Sequence, residues 1–256
     1  MAWNLGSGLE DLGVVVTGAT GGIGSEAVRA FEAAGARVCA TDLRQDALDD
    51  LLHSLDHPDR HIAIAADVSS RDSHADLLGR SMKAFGRVGV LAHVAAVLKR
   101  RSTAAEITEE DWDLQLGVNL KSSFFLNMAA GELFREQGRG GRIINLVSTS
   151  WWTGGTSVAI PYASSKGGLV SMSRGLAKTF APDNITVNTV APGGVDTAMM
   201  RADLTQEQVD AYVATVPIGR LAHPGEIASG IVFLASAHAG YITGTTLNIS
   251  GGQLLY

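Results

Sequence analysis

The chain has 256 residues, with 20 Lys plus Arg against 26 Asp plus Glu and a net charge of −6. Hydrophobic residues make up 46% and charged residues 18%, which suits a packed core and excludes disorder as the global state. The acidic balance argues against a nucleic-acid binder, and the single cysteine, Cys39, excludes an internal disulfide or a multi-cysteine metal site.

No apolar run reaches the roughly 18–20 residues of a membrane helix. Met1 to Leu12 carries neither a positive n-region nor a long apolar stretch, so no signal peptide is expected. A cytoplasmic location is the corresponding expectation.

Val14-Val15-Val16-Thr17 is a β-branched run and reads as a buried strand. A glycine-rich turn follows, then a helix over 23–34 closed by Gly35. A second strand covers 37–41 and stops at Asp42. A helix over 47–55, a strand over 61–66, a helix over 70–85 and a strand over 90–95 come next. Helical patterns around 109–116 and 120–136 precede a strand over 142–147, a long helix over 162–180 and a strand over 185–191. Helices over 204–213 and 225–234 and a last strand over 246–249 complete the chain. Strands alternating with helices predict a parallel, doubly wound α/β sheet, and the near-continuous apolar strands imply cover on both faces. No repeat or linker interrupts the pattern, so a single domain over residues 1–256 is expected.

The first turn reads Thr17-Gly18-Ala19-Thr20-Gly21-Gly22-Ile23-Gly24, between a strand and a helix. Gly18 permits a tight turn, Gly22 leaves room for a pyrophosphate, and Gly24 lets the helix pack closely. The helix start then offers N–H groups and a positive dipole to phosphate. Asp42, at the end of the second strand, is placed for ribose hydroxyls. Asp67-Val68, at the end of the third, is placed to face an adenine, though a capping turn explains Asp67 equally well.

Tyr162-Ala163-Ser164-Ser165-Lys166 opens the long helix, and residues four apart share a helix face. A free phenol has a pKa of about 10. A cation at about 4 Å and an effective dielectric near 20 is worth about 4 kcal/mol, enough to bring it toward neutrality. Ser148 follows the fifth strand, with Ser150 as a rival; strand C-terminal ends are where such sheets place their sites.

Taken together these motifs resemble the short-chain dehydrogenase/reductase family over nearly the whole chain. The resemblance rests on Thr-Gly-x-x-x-Gly-x-Gly from Thr17, Tyr162-x-x-x-Lys166, the preceding Ser148, Asn119 in Val118-Asn119-Leu120, and Pro192-Gly193-Gly194-Val195-Asp196-Thr197. It implies a Rossmann-like seven-stranded sheet and a nicotinamide cofactor. Tyr162 is the implied general acid/base, Lys166 lowers its pKa and binds ribose, Ser148 holds the substrate oxygen, and Asn119 serves a water relay. Implied cofactor contacts are Gly18, Thr20, Gly22, Ile23, Gly24, Asp42, Leu43, Asp67, Val68, Ala95, Tyr162, Lys166, Pro192, Gly193, Val195 and Thr197. Asp42 and the absence of basic residues at Gly21 and Leu43 favour NAD over NADP, with Arg44 as the one cation able to reach a phosphate. One departure stands out: His93-Val94-Ala95-Ala96 replaces the family's usual Asn-Asn-Ala-Gly, and His93 reads as a structural, hydrogen-bonded histidine.

The expected activity is NAD-dependent interconversion of a small secondary alcohol and a ketone. A 3-oxoacyl-(acyl-carrier-protein) reductase is the alternative, with Arg135, Arg139 and Lys178 as a docking surface. A non-catalytic dinucleotide sensor is the remote one. Trp151 and Trp152 either line the substrate pocket with Ser148 and Tyr162 or simply pack. Lys99-Arg100-Arg101 either meets an anionic substrate or forms a solvated loop. Met199 and Met200 belong to a lid or fill core. No metal is expected. A homotetramer is implied, one interface using the helices at 120–136 and from Tyr162, the other using 225–234 and the last strand. Ile227, Ile231 and Leu234 form a stripe that suits either that interface or the core.

Overall fold

The computed structural model describes residues 4–155, 159–202 and 204–255; the first three residues of the N-terminal stretch read above lie outside them. In chain order the elements are β1 (Gly13–Thr17), α1 (Gly22–Ala33), β2 (Arg37–Asp42), α2 (Gln45–His53), β3 (Ile62–Ala65), α3 (Asp72–Phe85), β4 (Val88–His93), α4 (Glu109–Leu116) and α5 (Ser122–Gln137). They continue with β5 (Gly141–Leu146), α6 (Ser150–Thr153), α7 (Ile160–Phe180), β6 (Ile185–Pro192), α8 (Ala198–Arg201), α9 (Gln206–Val213), α10 (Pro224–Ala235) and β7 (Thr246–Ile249). The strands form one seven-stranded parallel sheet in the order β3-β2-β1-β4-β5-β6-β7. The order reverses between β1 and β4, and ligands of such sheets bind at the carboxyl ends of the strands there.

Successive side chains of a strand point to opposite faces, and the core divides accordingly. Val14 and Val16 pack with Phe31 of α1 and with Ile227, Ile231 and Leu234 of α10. Val15 and Cys39 pack on the other face with Leu126 and Phe134 of α5 and Phe180 of α7. The α10 stripe is therefore buried within the protomer and lends no support to a subunit interface.

The expected strand over 90–95 begins earlier, at Val88, and ends at His93. Val94 and Ala95 leave the ladder because both backbone N–H groups donate to Thr17 Oγ1, each at 3.2 Å. The expected helix over 70–85 starts at Asp72, after a turn in which Ser73 Oγ donates to the Asp67 carbonyl at 2.7 Å. The helical patterns at 109–116 and 120–136 are joined without a loop by a π-turn, Gly117–Lys121.

Candidate active site

The glycine-rich turn sits at the C-terminal end of β1. Gly18 has φ +64, and a Cβ there would lie 2.7 Å from Ala95 Cα. A Cβ on Gly24 would lie 1.9 Å from the Gly18 carbonyl oxygen, so this glycine lets α1 pack on the turn itself rather than on the strand. At Gly22 the missing Cβ faces the Thr197 methyl. No side chain caps the N-terminus of α1, which leaves its leading N–H groups open.

Asp42 closes the turn from β2. Its Oδ2 accepts the Thr20 N–H at 3.0 Å and the Thr20 hydroxyl at 2.6 Å, and its Oδ1 accepts the Leu43 N–H at 2.8 Å. The carboxylate is thus anchored beside the turn, while the Leu43 side chain is exposed. Arg44 is paired with Asp46 through Nε at 3.1 Å and through Nη2. Open N–H groups, cramped glycines and an anchored acid fit a dinucleotide. Asp67 Oδ1 accepts the Ser69 N–H at 2.8 Å, the capping turn anticipated as its plainer role, and Val68 is buried in the core.

The segment after β6 faces the turn. The Pro192 carbonyl accepts the Thr149 N–H at 2.9 Å, and the Gly193 N–H donates to the Ile249 carbonyl at 3.0 Å. Val195 bridges to Ala222. Thr197 Oγ1 caps α8 by accepting the Met200 N–H at 3.2 Å.

Ser148 lies two residues beyond the end of β5, and its hydroxyl accepts the Ser150 N–H at 3.2 Å. The Ser148 hydroxyl is near enough to Tyr162 to favour the ionised phenol. Burial outweighs it and pushes the phenol up to about 12, with Arg100 and Ser148 pulling down. Lys166 is fully buried one turn further along α7. Its Nζ donates to the Leu146 carbonyl at 2.8 Å and lies 5.5 Å from the centroid of the Tyr162 ring. Burial pushes Lys166 down to about 7. The sequence-based expectation of a phenol lowered by lysine is therefore not met in the protein alone. Desolvation dominates at both groups, and the lysine bonds a carbonyl and the ring face rather than the phenolic oxygen.

Asn119 is buried in the π-turn. Its side chain clamps Val97, accepting the Val97 N–H at 2.8 Å and donating to the Val97 carbonyl at 2.9 Å. It also donates to Ser165 Oγ at 3.1 Å, which ties the β4–α4 loop to α7 next to Lys166.

His93, the departure from the family pattern, is buried and joined on both ring nitrogens. Nδ1 lies 2.8 Å from Thr17 Oγ1, and Nε2 lies 2.8 Å from Ser123 Oγ. Thr17 already accepts two N–H groups, so its one proton goes to Nδ1. Nε2–H then donates to Ser123, which donates to the Asn119 carbonyl at 2.8 Å. The chain of bonds runs one way, from the cofactor turn to Asn119, and requires a neutral imidazole. Burial foremost, with the Lys166 and His74 charges, pushes His93 down to about 3. Thr17 and Ser123 were missed as site-forming residues. The spacing of Ser123 four residues after Asn119, on one helical face, was the available signal.

Trp151 packs beside Val147, Leu169 and Met172, with Arg174 5.7 Å from its ring centroid. Trp152 stacks edge-on against it, centroids 5.2 Å apart, and is 59% exposed. Both belong to α6, a single turn too short to show a period in sequence.

Comparison with known proteins places this geometry. A family model described as enoyl-(acyl carrier protein) reductase matches residues 18–253. A 2-dehydro-3-deoxy-D-gluconate 5-dehydrogenase of Escherichia coli is 38% identical over 76% of this chain and 77% of its own. A 3-oxoacyl-[acyl-carrier-protein] reductase of Vibrio cholerae is 36% identical over 96% of this chain and 99% of its own. Among solved structures, a glucose/ribitol-type short-chain dehydrogenase/reductase from Brucella melitensis superposes with a TM-score of 0.89 at 33% identity, covering 97% of this chain and 98% of that one. Motifs, sheet order and relatives agree: the chain belongs to the short-chain dehydrogenase/reductase family, whose members are NAD(P)-dependent oxidoreductases acting on CH–OH groups and their carbonyl counterparts.

Proposed function

We propose that the chain interconverts a small secondary alcohol and a ketone with NAD(H) in preference to NADP(H). The observation that carries the chemistry is the convergence of Ser148, Tyr162 and Lys166 at the end of β5, two strands from the phosphate turn at the end of β1. A bound nicotinamide supplies or accepts the hydride. Ser148 holds the substrate oxygen, and Tyr162 passes a proton to or from it. A phenol pushed up to about 12 stays protonated at neutral pH, ready to donate in the reducing direction. Lys166, pushed down to about 7, supplies a cation below that pH and a proton reserve beside the ring. Asn119 positions the loop that borders the pocket.

The NAD preference rests on Asp42, whose carboxylate repels a ribose 2′-phosphate, and on Arg44, which is held by Asp46. For the alternative, a 3-oxoacyl-(acyl-carrier-protein) reductase, the basic docking surface is weakened. Arg135 is paired with both Glu132 and Asp183, at 2.8 Å each. A dinucleotide sensor has no use for the ordered set at Ser148, Tyr162 and Lys166.

The same reading carries a homotetramer in the cytoplasm. Supporting self-association, an apolar groove of about 830 Å³ on the α4–α5–α7 face is lined by Trp112, Leu116, Leu120, Phe124 and Met172. Among the described residues no helix is long and apolar enough to cross a membrane.

Tyr162→Phe tests the chemistry. Turnover is expected to fall about 10²–10⁴-fold while NADH affinity stays within a few-fold, because the ring still packs and only the proton is lost. Single-turnover rates at wild-type level in the variant would remove Tyr162 from the mechanism.

A further inference from the structure

The basic run Lys99-Arg100-Arg101 does not behave as one solvated patch. Lys99 and Arg101 are both paired with the buried Asp111, with Lys99 Nζ 2.7 Å from Oδ1 and Arg101 Nη2 2.8 Å from the same oxygen. The loop that carries them is pinned on that side. Asn119 clamps Val97, and Gln115 Oε1 accepts the Lys99 N–H at 3.1 Å.

Arg100 goes the other way. Its Nη1 donates to the carbonyls of Met199 and Ala202, at 3.3 and 3.0 Å, in the α8 segment that follows β6. In the sheet β5 lies between β4 and β6, so a side chain bridging the loops after β4 and β6 crosses the end of β5, where Ser148 stands. The charge of Arg100 is felt at the Tyr162 phenol, which it helps to hold down against burial. Arg100 has no carboxylate partner among the described residues, and its Nε and Nη2 donate to none of them. A guanidinium pinned by one nitrogen, with its remaining fork unused, matches a carboxylate in a two-point geometry.

We propose that Arg100 is the carboxylate anchor of the substrate pocket, so that the preferred substrate is a hydroxy acid or keto acid rather than a neutral alcohol or ketone. This rests on the alcohol–ketone reading above and names the substrate class of that site. It also assigns the α8 segment a role. The two carbonyls hold the guanidinium over the pocket, so substrate binding and the seating of α8 are coupled through one side chain.

The test uses matched probes: acetoacetate against methyl acetoacetate, and D-gluconate against D-glucitol, with acetoacetyl-CoA as a third arm. Both kcat/KM and the affinity of the cofactor-loaded protein are measured. The wild type is expected to favour each acid over its neutral partner by at least about thirtyfold, the factor a charge-assisted hydrogen bond supplies. Arg100→Met is expected to bring that ratio close to one, and Arg100→Lys to restore part of it as a point charge without the fork. The ratio is the readout because removing the guanidinium charge also alters Tyr162 and shifts absolute rates for every substrate. An unchanged ratio in Arg100→Met, a wild type that binds neither acid, or one that prefers the neutral probes or the CoA thioester overturns the anchor. Acids that bind through Arg100 while no probe exchanges a hydride would overturn the alcohol–ketone reading and leave the anchor standing. Turnover of neutral probes with no preference for acids would do the reverse.

Discussion

Replacing His93 by Leu puts an apolar group of similar size in the buried position and removes a polar group that must stay neutral. In the folded chain His93 is pushed down to about 3, against an ordinary value of 6.5. Its folded value lies below its unfolded value, so the unfolded chain takes up the proton first. Stability is complete above about pH 6.5 and is lost as pH falls from there toward 3. Between pH 8 and pH 5 this one residue removes about 2 kcal/mol from the wild type, at about 1.36 kcal/mol per pH unit once protonation of the unfolded state is under way. The variant escapes that loss. At pH 8 it is instead the less stable protein, by about 1–3 kcal/mol, because the Thr17 proton loses its acceptor and Ser123 its donor in a buried site. Urea unfolding followed by circular dichroism at both pH values measures both differences. The two stability curves should approach each other as the pH is lowered. Parallel curves, with the same loss from pH 8 to pH 5 in both proteins, would refute the neutral, doubly bonded imidazole. So would a native-state His93 ring that titrates near its ordinary value.

Asp42→Ala should shrink an NAD preference that we expect to be at least about a hundredfold in kcat/KM, or roughly 2.7 kcal/mol; adding Leu43→Arg should shrink it further. Comparable efficiencies with NAD⁺ and NADP⁺ in the unaltered protein would contradict the role given to Asp42. Trp151→Ala should lower stability by about 1–3 kcal/mol, less than the loss at a fully buried aromatic, because the ring is half-buried. Trp152→Ala should raise substrate KM with little effect on NAD⁺ affinity; an unchanged KM for every accepted substrate would leave the indole without a substrate contact. Sedimentation should show a tetramer at micromolar concentration, and Phe124→Glu in the apolar groove should dissociate it; a monomeric wild type would contradict the self-association face.

Local signals carried a large part of this protein. Thr17-Gly18 through Gly24, Asp42 and Ser148 each occupy a boundary where a short apolar strand stops, and strand ends in a parallel sheet converge on one edge, whereas Tyr162-x-x-x-Lys166 opens α7, beyond α6. Strand ends imply that the turn, Asp42 and Ser148 share one edge of the sheet; that Tyr162 and Lys166 join them is what the family resemblance implies. The long, regular segments were equally legible: the helix over 162–180 differs from α7 only by two residues at its start, where Pro161 suits a first turn. The single-turn α6 and α8 were not legible, since four residues cannot display a period.

Tertiary structure decided what depends on who stands opposite whom. The stripe at Ile227, Ile231 and Leu234 suits a core or an interface equally well as a pattern, and only the packing of α10 against α1 assigns it to the core. Tyr162 and Lys166 share a helix face, but the depth of that face sets the sign of their shifts, and burial drove the phenol up where charge alone would have brought it down. Three adjacent cations look alike in sequence. Asp111, buried by the fold, takes Lys99 and Arg101 and leaves Arg100 to cross toward α8. Backbone pattern is encoded in spacing along the chain, whereas desolvation and pairing depend on partners remote in sequence, so the chemical state of the site became visible only once the strands were placed side by side.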